Sequence, residues 1–250
     1  MSRLPLIVGF GGVNPAGRSS FHHAYRRLVI DALPTAVADR TLQSLAALMK
    51  VGDELQGQAR RDYILAHTLI RKIERSAFDV EQVPWNRRMQ LQGERGAVEF
   101  VLRRKQLPEA LPGNWQIRDL GDDRVAVTVA ESVDVLLPTH RRFEVSSAGQ
   151  LPTGFDPAAY YPARNHPRGL QMSVFGASDA LQSVGIDWDV VRNRVRPDEI
   201  SVYASSAMAQ LDDAGFGGLL GARANGGRVT SKQLALGLAD MPADFVSAYV

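Results

Sequence analysis

Residues 7–23 read IVGFGGVNPAGRSSFHH: a short apolar run, four glycines, two serines and a pair of histidines. Three chemistries compete for such a stretch. A glycine loop between strand and helix can wrap a phosphate, histidines can ligate a metal, and the same residues can make only a tight turn. The dinucleotide fingerprint G-x-G-x-x-G, started at Gly9, needs a glycine where Asn14 stands. Its acidic residue, about twenty positions on, would be Asp31, which falls on a predicted helix and not at the end of a second strand. No Gly-Lys-Ser/Thr follows the loop, so the Walker pattern is absent too. His22 and His23 are neighbours, and on a helix they point about 100° apart, too far to share one ion. Arg26 and Arg27, one turn on, disfavour their protonated forms. His67, His140 and His166 are isolated from other ligand types, and no G-x-S-x-G nucleophile elbow occurs.

Working outward, Leu4–Val8 is β-prone and nearly all apolar, which predicts a strand buried on both faces. Ser19 or Ser20 is a suitable N-cap for a helix whose apolar face is Phe21, Tyr25, Leu28, Val29 and Ala32, ended by Pro34. Leu42, Leu45, Ala46 and Met49 predict one amphipathic helix, and 63–73 a second with Ile64, Leu65, Thr68, Leu69 and Ile73 inward. VAVTV at 125–129 alternates as a strand does and predicts a small antiparallel element. After a Pro/Gly-rich connection, Val174, Ala177, Leu181 and Val184 predict a helix closed by Gly185 at C′. Asp187 is placed to cap a short helix, EISVYAS (199–205) reads as a buried strand, and 215–228, with six glycines, as a flexible tract. Pro242 suits the start of a last helix with Phe245, Val246 and Tyr249 inward. That helix has only about eight residues and no C-cap, so the chain is expected to stop in mid-architecture.

Composition sets the outer limits. The chain has 250 residues, 45% of them hydrophobic and 22% charged, enough for a substantial core. No apolar run approaches the roughly 18–20 residues that span a bilayer, and the N-terminus reads as a strand and not as a signal peptide. A cytoplasmic location is the expectation. There is no cysteine, hence no disulfide, thiolate metal site or thiol nucleophile in these residues. The net charge is only +2, yet from Arg60 to Lys105 eleven basic residues face six acidic ones. This bias is either a solvated face or a docking surface for an acidic partner. It lacks the interleaved aromatics of a nucleic-acid binder. Residues and spacing alone therefore give an α/β chain without a complete catalytic constellation.

Three stretches together carry more. LPLIVGFGGVNPAGRSSFHHAYRRLV (4–29), LPTGFDPAAYYPARNHPRGLQMSVFGASDALQSVGIDW (151–188) and DEISVYASSAMAQLDDAGFGGLL with RVTSKQLALGLADMPADFVSAYV (198–220 and 228–250) resemble, in this order, β-ketoacyl-acyl-carrier-protein synthases of a long proteobacterial subgroup. The resemblance implies an α/β, thiolase-like fold of which this chain is the first, N-terminal half, incomplete, with a folded α+β insertion. It divides the chain into core at 1–34, insertion at 35–150, and continued core at 151–250, truncated before the nucleophile. It implies decarboxylative condensation of an acyl thioester with malonyl-acyl carrier protein, without metal or redox cofactor, by a cytoplasmic homodimer whose partner is acyl carrier protein.

The family's acylated cysteine and two histidines match nothing in this chain, so no catalytic residue is carried over and these 250 residues alone are expected to be inactive. Met208, Leu211 and Phe216 are candidates for an acyl pocket, the alternative being a core or dimer-interface role. A non-catalytic chain-length-factor type of partner subunit, or a component of a polyketide or polyunsaturated-fatty-acid synthase, are the other readings the resemblance allows.

Overall fold

The computed structural model describes residues 4–224 and 226–250, and the chain falls into two compact units. The first comprises Met1–Lys72 with Ser147–Val250, and the second is Ile73–Ser146.

The first unit is mainly helical. Its elements are β1 (Val13–Asn14), β2 (Gly17–Arg18), α1 (His23–Leu28), α2 (Thr35–Leu48), α3 (Gly57–Ala66), β3 (Ile70–Lys72), and, after the second unit, β7 (Ser147–Gly149), α4 (Arg168–Ser183), α5 (Trp188–Arg192), α6 (Phe216–Ala224), α7 (Ser231–Gly237) and α8 (Met241–Tyr249). Helix α2 buries Leu45, Ala46 and Met49 against Ile64 of α3, the inward face its spacing predicts. Helix α4 packs Leu170 and Val174 against Phe245 of α8, while Phe175 joins Leu48 and Phe155. Strands β3 and β7 pair antiparallel, Ile70 opposite Gly149, where the chain leaves the unit and returns.

Several expectations are corrected. Residues 4–8 join no sheet among the described residues, and Leu4, Leu6 and Ile7 are more than four-fifths exposed. Residues 199–205 likewise form no strand, and Tyr203 is 93% exposed. Both have strand-forming sequences, but a strand exists only where a neighbour supplies the ladder, and none lies beside them here. The helix after Ser20 is broken, because Phe21 and His22 adopt left-handed φ of 50° and 59°. The break resets the helical phase. Ala24 and Arg27 turn inward while Phe21, Tyr25 and Leu28 are exposed. Arg27 is held there by bonds from its Nε to Thr68 Oγ1 and from its Nη2 to the Leu65 carbonyl, 2.8 and 3.0 Å. The second predicted helix ends at Ala66, and the residues after it turn into β3. The glycine-rich tract is helical from Phe216 to Ala224, Gly217 and Gly218 lying where a Cβ would strike the carbonyl oxygens of Leu211 and Asp213. Gly185 does close α4 at φ +73°, and Asp187 caps α5 by accepting from the Asp189 amide at 2.9 Å.

The second unit is a three-stranded antiparallel sheet of β4 (Val83–Arg103), β5 (Trp115–Gly121) and β6 (Arg124–Arg141), in the order β4-β6-β5. Val125, Val127 and Val129 of β6 alternate inward and are fully buried under Phe100, Leu102, Trp115 and Ile117. Strand β5 covers only residues 124–129 of β6. The other half of β6 pairs with β4 alone, beyond a register break between Gln92 and Ala97.

Candidate functional site

The glycine loop is built onto helix α4. A Cβ on Gly11 would lie 2.1 Å from the Ala180 nitrogen, and one on Gly9 2.7 Å from Val184, so only glycine lets this backbone lie on the helix. The loop's amides do find an anion, and it is the chain's own. Asp179, 2% exposed, accepts from the Gly12 amide at 3.0 Å, the Ser20 amide at 3.2 Å, the Ser20 hydroxyl at 2.8 Å and Arg18 Nε at 2.5 Å. Arg18 Nη2 also donates to Gln182 Oε1 at 2.9 Å. An incoming phosphate would find the Gly12 and Ser20 donors already taken.

The histidines behave as packing groups. His22 lies 5.1 Å from the Phe10 ring, centroid to centroid. His23 is half-buried, and burial first, then Arg26 and Arg18, hold it below the ordinary imidazole value. Among the described residues no group of three His, Cys, Asp or Glu could hold a metal ion.

Two clefts flank α4. One, of about 570 Å³, lies between α2, the turn at 157–160, α4 and α8, with Arg18, Arg40, Tyr160, Phe175 and Tyr249 in its wall. Among the described residues its one carboxylate is Asp179, paired with Arg18, which leaves Arg40 as the unneutralised charge beside the aromatic rings. The other, of about 640 Å³, is apolar and lined by Leu181, Trp188, Val195, Ile200 and Val246. Ala177 and Leu181, expected to be core, face this second cleft. At the end of α8, Tyr161, His166, Phe245 and Tyr249 form an aromatic cluster, His166 lying 4.7 Å from Phe245 and its Nδ1 3.2 Å from the Tyr161 hydroxyl. Burial lowers His166, and burial with Tyr249 raises Tyr161 to about 12.

No family model matches the chain. The β-ketoacyl-[acyl-carrier-protein] synthase FabY of Pseudomonas aeruginosa is 47% identical over 267 aligned positions, which take in 100% of this chain and 42% of that protein. The crystal structure of the noncanonical ketosynthase FabY from P. aeruginosa superposes with a TM-score of 0.86 at 46% identity, over 99% of this chain and 41% of that one. This chain is similar to a ketosynthase along its whole length. It spans about two-fifths of the length of these relatives, and its α/β fold is the thiolase-like one the sequence implied.

The ketosynthase relationship gives the glycine loop its meaning. The loop is a joint of the scaffold, locked by Arg18, Ser20 and Asp179. Of the residues singled out for an acyl pocket, Met208 and Leu211 are exposed, 71% and 55%, and Phe216 packs under Gly237. None of the three lines either cleft. Sequence reasoning missed Asp179. Its signal was an aspartate four residues after Phe175, on the same face of α4 as that buried ring.

Proposed function

We propose that this chain is the N-terminal portion of a β-ketoacyl-acyl-carrier-protein synthase of fatty-acid biosynthesis. The observation that carries the reading is the match to FabY over the whole chain, in sequence at 47% identity and in structure at a TM-score of 0.86. The reaction is decarboxylative Claisen condensation. A thiolate takes an acyl group from an acyl carrier protein thioester and releases the carrier thiol, malonyl thioester loses CO₂, and the resulting carbanion attacks the acyl-enzyme carbonyl and expels the thiolate. Donors fixed in a dry site hold the developing oxyanion.

The 250 residues contain no cysteine, so their part in that reaction is structural. The Asp179 lock fixes the loop against α4, and that scaffold positions the nucleophile supplied elsewhere in the protein. Met208, Leu211 and Phe216 are proposed as one wall of the acyl pocket. Residues 1–34 and 151–250 are proposed as thiolase-like core and 35–150 as the insertion, in a cytoplasmic homodimer served by acyl carrier protein.

The test uses the whole protein with radiolabelled acyl-acyl carrier protein. Covalent label on a cysteine, followed by a β-ketoacyl product on adding malonyl-acyl carrier protein, is the expected result. A whole protein that takes no label would overturn the reading in favour of a non-catalytic partner subunit. The isolated 250 residues should take none in either case.

A further inference from the structure

The far half of the β4–β6 ladder is a ribbon of two strands with unlike faces. Its register pairs Trp85 with Thr139, Arg87 with Leu137, Met89 with Val135 and Leu91 with Val133. Paired residues share a side of the ladder, and the side alternates along it. One face is therefore Trp85, Met89, Leu91, Val133, Val135 and Leu137, with Arg87, Thr139 and Arg141. The other is mostly polar, with Asn86, Gln90, Gln92, Ser132, His140 and an Arg88–Asp134 ion pair at 2.6 Å beside Pro84, Pro138 and the exposed Leu136. The apolar face is open: Trp85 is 46% exposed, Met89 37%, Leu91 41% and Leu137 51%.

Two features say what covers it. A bare two-stranded ribbon is marginal in water, so an apolar face on one gains from a cover. The charges on this face are all of one sign. The Arg141 guanidinium lies over the Trp85 ring at 3.7 Å, Arg87 has no ion pair or hydrogen bond among the described residues, and no carboxylate stands on the face between Trp85 and Leu91. A tryptophan and two arginines, all exposed here, are the residue types enriched at interface centres. The ribbon is about 10 Å wide and roughly 30 Å long, since strands rise ~3.3 Å per residue. These are the diameter and length of a helix of about twenty residues. We infer that this face docks an acidic amphipathic helix of a partner protein, its apolar stripe on Met89, Leu91, Val135 and Leu137 and its carboxylates on Arg87 and Arg141.

The probe is a synthetic amphipathic helix of about twenty residues with leucines at helical spacing and glutamates elsewhere, beside a lysine-for-glutamate counterpart. Each is titrated into the whole protein, with Trp85 emission and the anisotropy of labelled peptide as readouts. The glutamate peptide should bind saturably, the lysine peptide at least tenfold more weakly. Arg87→Glu with Arg141→Glu should reverse that order, and Arg87→Glu alone, which leaves the Trp85 stack intact, should shift it part-way. Absent binding, or binding indifferent to the reversal, would overturn the inference. So would self-association abolished by Met89→Glu with Leu137→Glu, which would assign the face to a second copy of the chain.

Discussion

Gly11 and Ala180 meet backbone to backbone: a side-chain carbon on Gly11 would come within 2.1 Å of the Ala180 nitrogen. The contact places the loop directly over Asp179, whose carboxylate then collects the Gly12 amide and the Ser20 hydroxyl.

Gly11→Ala should therefore destabilise the first unit by about 3 kcal/mol, the upper part of the range for an overpacked site with no room to relax. The obstruction is helical backbone and not a flexible side chain. Urea unfolding followed by far-UV circular dichroism checks this. A variant as stable as the parent would show that the loop stands off the helix.

Asp179→Asn turns an acceptor surrounded by donors into a partial donor. It leaves Arg18 without its carboxylate, so the loss should be about 3–5 kcal/mol, as for other buried pairs stripped of one partner. Ser20→Ala removes a single hydrogen bond and should cost about 1 kcal/mol. Hydrogen exchange should show the Gly12 and Ser20 amides losing protection in Asp179→Asn, while Val125–Val129 of the second unit keep theirs.

Acid should weaken the first unit through His23 and His166, both held below their ordinary 6.5 by burial. When a folded-state value lies below the unfolded one, falling pH protonates the unfolded chain first. Stability is then unaffected above 6.5 and declines as pH falls below it. Urea midpoints measured downward from neutral pH should show this decline, and His23→Gln with His166→Gln should flatten it. An unchanged slope in the double variant would place the titrating groups elsewhere.

Val127→Ala should cost the second unit roughly 2 kcal/mol, the loss typical of methyl groups removed from a packed core. Val127 is fully buried beside Phe100 and Trp115, whose rings meet edge to face at 5.7 Å. The substitution should shift Trp115 emission and speed proteolysis within 73–146.

Much of this was readable in one dimension. The α2 spacing, the alternation of VAVTV, the Gly185 stop and the Asp187 cap depend on residues within a few positions of each other, and each occurs as read. The family resemblance was legible from three ordered stretches. The α1 face was not, since the left-handed turn at Phe21 and His22 shifts the helical phase and nothing local announces it. The two apolar strands failed for a related reason, because the backbone partners that define a strand come from other segments.

By itself, then, the sequence determined the α2 period, the Gly185 stop, the Asp187 cap, the ketosynthase resemblance and the role of the glycines as backbone joints. Neither Ser19 nor Ser20 caps α1, which starts from His22. Tertiary structure decided what those joints close on. Asp179 lies 167 positions from Gly12 and 161 from Arg18, and no local pattern ties such residues together. Folding brings them together around a buried carboxylate, which is tolerable only when donors surround it. The loop that could have held a phosphate thereby spends its donors on its own helix.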